Sequence, residues 1–271
     1  MTDLLTVSDL RTEFNGNLVV DGVGFTVRRG RAVGLVGETG SGKSVTVRSI
    51  LGLVRPPGRV VGGSAVFEGQ DLMRMPPRRL RRLRGARIGF VAQNPFGALN
   101  PILPIRKQFY NVLRSHRKIS AKEAYDIALS GLRSVGVAGP ERVLNGYAHE
   151  LSGGMAQRVV IALVMSLNPT LLIADEPTTA LDLTVQRQVL DLIDGLIRDN
   201  DRSMLLITHD LSVVAQYCQD IVVMRAGRVV ETGTVRQVFA NPTHPYTRQL
   251  LAASSSAPDA LPPREESHAT A

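Results

Sequence analysis

Branched apolar residues fall in short unbroken runs along this chain: Ala32-Val33-Gly34-Leu35-Val36, Ile88-Gly89-Phe90-Val91, Leu171-Leu172-Ile173-Ala174 and Met204-Leu205-Leu206-Ile207-Thr208. Runs without polar alternation suit strands covered on both faces, as in a parallel sheet. Between them the apolar positions recur at helical spacing, after Lys43 and over 121–135, 154–167 and 184–198. Strands alternating with helices predict an α/β fold on a mostly parallel central sheet, joined by right-handed crossovers.

Two stretches break that rhythm. The first segment and Val60 to Phe67 alternate and are closed by glycines, which predicts an N-terminal antiparallel β-subdomain. From Pro95 to Glu150 there is no strand pattern, only helical stretches interrupted by Pro and Gly, so a helical subdomain is placed at about 95–155. The Ala, Ser, Pro and charged residues of 252–271 read as a disordered tail.

At 271 residues, 44% hydrophobic and 21% charged, the chain has the composition of a folded protein with one principal unit and a subsidiary lobe. Its 32 Lys and Arg against 24 Asp and Glu give a formal charge of +8, which suits nucleotide phosphates, nucleic acid or an anionic membrane alike. The single cysteine, Cys218, excludes an intrachain disulfide and fits a reducing compartment. No basic segment followed by a long apolar stretch opens the chain, so no signal peptide is expected. The most apolar run, Val159 to Leu167, is far shorter than the ~18 residues that span a bilayer.

The strand at 32–36 leads into Gly37-Glu38-Thr39-Gly40-Ser41-Gly42-Lys43-Ser44, a phosphate-loop pattern in its required strand-loop-helix setting. Glycines let backbone N–H groups and the helix N-terminus wrap an anion closely. Lys43 is expected to reach the β- and γ-phosphates, and Ser44 to ligate Mg²⁺. A second chemical group closes the run at 171–174, where Asp175 and Glu176 follow the apolar residues. Asp175 is expected to hold Mg²⁺ and Glu176 to act as general base on the attacking water. A helix-capping pair is the plainer alternative for these two acids.

Leu151-Ser152-Gly153-Gly154-Met155 opens another helix with a second Gly-rich loop. A single nucleotide does not need two cradles lying apart. This loop, standing between the phosphate loop and the Asp-Glu strand, resembles the signature of the ATP-binding cassette family, and the resemblance runs from about residue 4 to 250. It implies a P-loop NTPase that binds ATP with Mg²⁺ and hydrolyses it. It also implies a dimer in which each ATP lies between one subunit's phosphate loop and its partner's signature loop.

Further positions follow the family's order. Gln93 corresponds to the glutamine that senses Mg²⁺ and the attacking water, His209 to the histidine at the γ-phosphate, and Phe14 to the aromatic that stacks on adenine. Ala180-Leu181-Asp182 resembles the loop that crosses to the other subunit. Plainer readings stand beside each: a polar strand end for Gln93, a helix cap for His209, core packing for Phe14.

The segment Gln93-Asn94-Pro95-Phe96-Gly97-Ala98-Leu99-Asn100-Pro101 is similar to one in the oligopeptide, dipeptide and nickel importers, with Asn94 where Asp is usual. The stretch Asn241 to Leu250, within a C-terminal motif at 235–251, is similar to the same group's closing motif. There Thr243 or His244 is expected to cap a helix with Pro245 in its first turn, and Tyr246 to pack that helix onto the core.

The resemblance implies two permease subunits, a second ATPase and an extracytoplasmic substrate-binding protein as partners, at the cytoplasmic face of a bacterial membrane. A heterodimer is the preferred pairing and a homodimer the alternative. The cysteines that hold an iron–sulfur cluster in some relatives are missing, so no cluster is expected. The rival class is a soluble cassette ATPase acting on nucleic acid or ribosomes.

The stretch Pro77-Arg78-Arg79-Leu80-Arg81-Arg82-Leu83-Arg84 bears on that choice. Leu80 and Leu83 at i and i+3 predict a short helix with one apolar side and a solvated basic face, rather than a nucleic-acid site. Lipid head groups are the second reading.

Overall fold

The computed structural model describes residues 2–179, 181–198 and 202–255. In chain order the elements are β1 (Asp3–Phe14), β2 (Asn17–Arg28), β3 (Ala32–Val36), α1 (Lys43–Ile50), β4 (Gly58–Phe67), β5 (Gln70–Asp71), α2 (Pro77–Ala86), β6 (Ile88–Val91), α3 (Pro95–Ala98), α4 (Ile105–His116), α5 (Ala121–Ser134), α6 (Pro140–Asn145), α7 (Gly153–Met165), β7 (Leu171–Asp175), α8 (Leu183–Arg198), β8 (Ser203–Thr208), α9 (Leu211–Tyr217), β9 (Asp220–Arg225), β10 (Arg228–Thr234), α10 (Val235–Ala240) and α11 (Pro245–Ser255). The described residues form two compact units, one drawn from 2–75 and 203–255 and the other from 76–202.

In the first unit the expected β-subdomain is a four-stranded sheet in the order β2-β1-β4-β5, with β1 antiparallel to both β2 and β4. Alternation buries Leu5 and Val7 of β1, and a shift in register between Val7 and Leu10 lets Leu10, three residues on, be buried as well. Thr12 of β1 and Ser49 of α1 share a buried hydrogen bond of 2.7 Å, which ties this sheet to the helix behind the phosphate loop.

The same unit holds β3 between β8 and β9, parallel to both. Every residue of β3 and β8 is buried, as their unbroken apolar sequences require. Strand β10 pairs antiparallel with β9. This hairpin lay outside the sequence expectations, although Ile221-Val222-Val223-Met224 followed by Ala226-Gly227 carries its signal, an apolar run closed by a turn.

In the second unit β6 and β7 pair in parallel, from Ile88 opposite Leu171 to Val91 opposite Ala174. Gly89 lets α7 lie close on β6, since a Cβ there would stand 2.7 Å from Val164. The helices α3 to α6 occupy the stretch from Pro95 in which no strand was expected. Helix α2 buries Leu80, half-buries Leu83 and exposes Arg78, Arg79, Arg81 and Arg82, which is the solvated basic face anticipated. Its regular turns stop before Arg84 and Gly85, both non-helical.

One boundary differs from the sequence reading. Residues 252–255, assigned there to a disordered tail, continue α11, because the helix begins at Pro245 and Leu250 and Leu251 carry it on; 256–271 lie outside the described residues. Among the described residues no helix is long and apolar enough to cross a membrane.

Candidate functional site

The phosphate-binding pattern sits where β3 ends and α1 begins. Gly37 is required by contact: a Cβ there would stand 2.2 Å from the Met224 carbonyl oxygen and 2.7 Å from Ser41 Oγ. Gly42, at φ 99, stands immediately before α1 in the left-handed region, where a Cβ would stand 2.8 Å from the Val19 carbonyl. The first turn of α1 has neither a side-chain cap nor an acidic residue. An uncapped helix start with its dipole aimed into a glycine loop is a site for an anion.

Lys43 is 5% exposed and donates from Nζ to the Gly37 carbonyl at 2.6 Å and the Glu38 carbonyl at 3.0 Å. The loop folds its cation back on itself. The N–H of Ser41 donates to the Glu38 carbonyl at 3.1 Å, and the N–H of Gly227, in the β9–β10 turn, to the Ser41 carbonyl at 3.0 Å. The N–H groups of Thr39, Gly40 and Gly42 make no hydrogen bond among the described residues.

Two other expected residues share this unit. Thr208 pairs with Val36, so His209 and Gly37 leave the same end of adjacent strands, and His209 is exposed there. It does not cap α9; Asp210 does, accepting from the Ser212 N–H at 2.8 Å. Phe14 ends β1 half-buried, with its ring against Gly58, where a Cβ would lie 2.4 Å away.

In the second unit Asp175 ends β7 at 3% exposure. Glu176 follows in the left-handed region, φ 46, although it is neither glycine nor asparagine and precedes a proline. Its Oε2 accepts from Gln93 Nε2 at 3.1 Å and from Thr179 Oγ1 at 2.8 Å. The structure thus joins Gln93 to Glu176, two residues read separately in the sequence. Thr179 was missed; its signal was the Thr178-Thr179 pair directly after Glu176-Pro177.

The second Gly-rich loop does open a helix. Leu151 is buried, while Ser152 is exposed and caps α7 by accepting the Met155 N–H at 3.3 Å. Gly154 faces α8, where a Cβ would come within 2.8 Å of Val185. Asp182 caps α8 by accepting the Val185 N–H at 3.0 Å; Ala180 lies outside the described residues. Beside it Leu183 is 84% exposed.

Ser44, Gln93 and Asp175 offer a hydroxyl, an amide oxygen and a carboxylate, all hard oxygen donors of the kind Mg²⁺ prefers. Among the described residues no group of three or more His, Cys, Asp or Glu is placed to hold a metal alone.

Residues 20–179 match the family model described as ABC transporter. The chain is 47% identical to the probable peptide ABC transporter ATP-binding protein y4tR of Sinorhizobium fredii, over 94% of this chain and 77% of that protein. It is equally 47% identical to the oligopeptide transport ATP-binding protein OppD of Bacillus subtilis, over 93% of this chain and 72% of OppD. Among solved structures, the post-hydrolysis dimer of the ATP-binding cassette MJ0796, bound to ADP and Pi, superposes with a TM-score of 0.76 at 26% identity, covering 86% of this chain and 99% of that one. The structure of cbiO1 from Clostridium perfringens, part of the transporter complex cbiONQ, gives the same TM-score and identity over 89% and 92% of the two chains.

Proposed function

The chain belongs to the ATP-binding cassette transporter family and is an ATP hydrolase, and on that premise we propose that it powers a bacterial importer of peptides or of nickel and related small solutes. The observation that carries the ATPase chemistry is the loop at 37–44, whose uncapped helix start and buried Lys43 form an anion cradle. Peptide import rests on the likeness to peptide and oligopeptide ATP-binding subunits over more than nine-tenths of the chain.

In this reading Lys43 exchanges the Gly37 and Glu38 carbonyls for the β- and γ-phosphate oxygens of ATP. Gly37, Glu38, Thr39, Gly40, Ser41 and Gly42 surround the phosphates, and Phe14 stacks on the adenine. Ser44, Gln93 and Asp175 would hold Mg²⁺, which would neutralise phosphate charge. Glu176, gripped by Gln93 and Thr179, orients the attacking water and takes its proton, and His209 contacts the γ-phosphate. Leu151 to Met155 and Asp182 serve the ATP of a partner subunit.

The partners are two permeases, an extracytoplasmic binding protein and a second ATPase, a different chain in preference to a second copy. The chain works as a peripheral subunit on the cytoplasmic face of the membrane. The relatives are named for transport, which leaves the nucleic-acid alternative without support. Reconstitution with the permease subunits of a peptide importer tests the reading. ATP hydrolysis should rise when the binding protein and a peptide are added together; stimulation by DNA or ribosomes instead would overturn the reading.

A further inference from the structure

The C-terminal motif does more than start a helix. Tyr246 is 5% exposed, and its hydroxyl accepts a hydrogen bond from the Glu38 backbone N–H at 2.9 Å. The carbonyl of that same peptide unit, Gly37 O, accepts from Lys43 Nζ at 2.6 Å. A peptide unit is planar, so holding its N–H and its C=O fixes its rotation. The Gly37–Glu38 peptide is clamped by the loop's lysine at one end and by a residue about two hundred positions away at the other.

Tyr246 is itself braced, directly by Arg225 and His244 and through His244 by Glu231. Its ring lies under the Arg225 guanidinium, 4.8 Å from the centroid, and Arg225 follows Met224, whose carbonyl abuts Gly37. The Tyr246 N–H donates to His244 Nδ1 at 3.2 Å. Glu231 of β10 accepts the Thr243 N–H at 2.7 Å, the Thr243 hydroxyl at 2.9 Å and the His244 N–H at 3.0 Å. A continuous chain of polar contacts thus runs from β10 through the start of α11 to the second residue of the phosphate loop.

We propose that Tyr246 is a positioning residue for ATP. Its hydroxyl sets the orientation of the Gly37–Glu38 peptide and keeps it when Lys43 leaves the Gly37 carbonyl for phosphate, so that the remaining loop N–H groups meet the phosphates already arranged. This rests on the reading of 37–44 as the phosphate cradle. The Glu38 N–H points at Tyr246 and not at ligand, while the N–H groups of Thr39, Gly40 and Gly42 stay available. Preorganisation lowers the ordering cost of binding, so the effect belongs in affinity.

The test is Tyr246→Phe in the full-length chain, which deletes the hydroxyl and keeps the ring. One neutral hydrogen bond corresponds to about a fivefold change in an equilibrium constant. The Kd for Mg-ATP by calorimetry and the KM for hydrolysis should each rise about fivefold, with kcat within about twofold of wild type. Amide exchange at Glu38 should quicken, while the thermal midpoint without nucleotide stays put. A purely structural hydroxyl gives the opposite pattern, a lowered midpoint with Kd and KM unchanged, and that result overturns the proposal.

If Y246F folds poorly, 3-fluorotyrosine at position 246 keeps the ring and hydroxyl but weakens the oxygen as acceptor. It should raise Kd in the same direction, and an unchanged Kd again counts against the role. Lys43→Ala separates the two levels of inference: it should abolish ATP binding. Retained binding in K43A would remove the cradle reading, and the Tyr246 proposal with it.

Discussion

Glu176 sits in a backbone region that costs a non-glycine residue about 1 kcal/mol or more, and it is followed by proline, which restricts it further. Its carboxylate is held by Gln93 and Thr179, so a strained backbone delivers a side chain that two hydrogen bonds then aim. Such an arrangement fits a base that must meet water at one angle. Glu176→Gln retains the shape and removes the proton acceptor. It should cut ATP turnover by about 100-fold or more while ATP binding persists, as read by steady-state hydrolysis and by nucleotide retention on the purified complex. Turnover at the wild-type rate would take the base assignment away from Glu176.

Helix starts carry much of the local logic. Ser152 caps α7, and Asp182 caps α8, whereas α1 has no side-chain cap, which on the proposed function leaves its first turn to phosphate. Ser152→Ala should destabilise the chain by about 1 kcal/mol, a fall of roughly 2–4 °C in thermal midpoint for a domain of this size. An unchanged midpoint would mean that the cap contributes nothing. The start of α11 is secured by Glu231. Burial works against its charge, but hydrogen bonds from the Thr243 and His244 N–H groups and the Thr243 hydroxyl outweigh it and hold the carboxyl at about 2, below its usual 4.5. With the folded pKa depressed, this stabilisation is complete above about 4.5 and is lost as the pH falls towards 2. Melting curves of wild type and Glu231→Gln should therefore differ most above that window and converge below it; a constant gap would contradict the linkage.

At the scale of the whole molecule, one chain carries both the loop at 37–44 and the loop at 151–155, and on the function proposed above each ATP is completed by a second subunit. The chain alone should hydrolyse ATP slowly, with specific activity that falls on dilution and recovers when the partner ATPase is added; activity independent of concentration would mean that one chain completes its own site. Much of the fold and of the site is legible in the sequence, because the relevant signals are local. An apolar run such as Leu171 to Ala174 has no comfortable place but a covered strand, and Gly37-x4-Gly42-Lys43-Ser44 fits few backbones other than a strand-loop-helix turn. Most elements, the helical stretch from Pro95, the loops and the acids at the end of β7 follow from neighbouring residues. Contacts between distant residues do not, since nothing in the spacing of Gln93 and Glu176 says that amide meets carboxylate, nor in that of Glu38 and Tyr246 that a hydroxyl takes a loop N–H. Those pairings depend on which strands become neighbours and where each one ends. The sequence by itself determined the chemistry present in the phosphate loop, and only the tertiary structure decided which side chain, 208 positions along the chain, holds that loop in place.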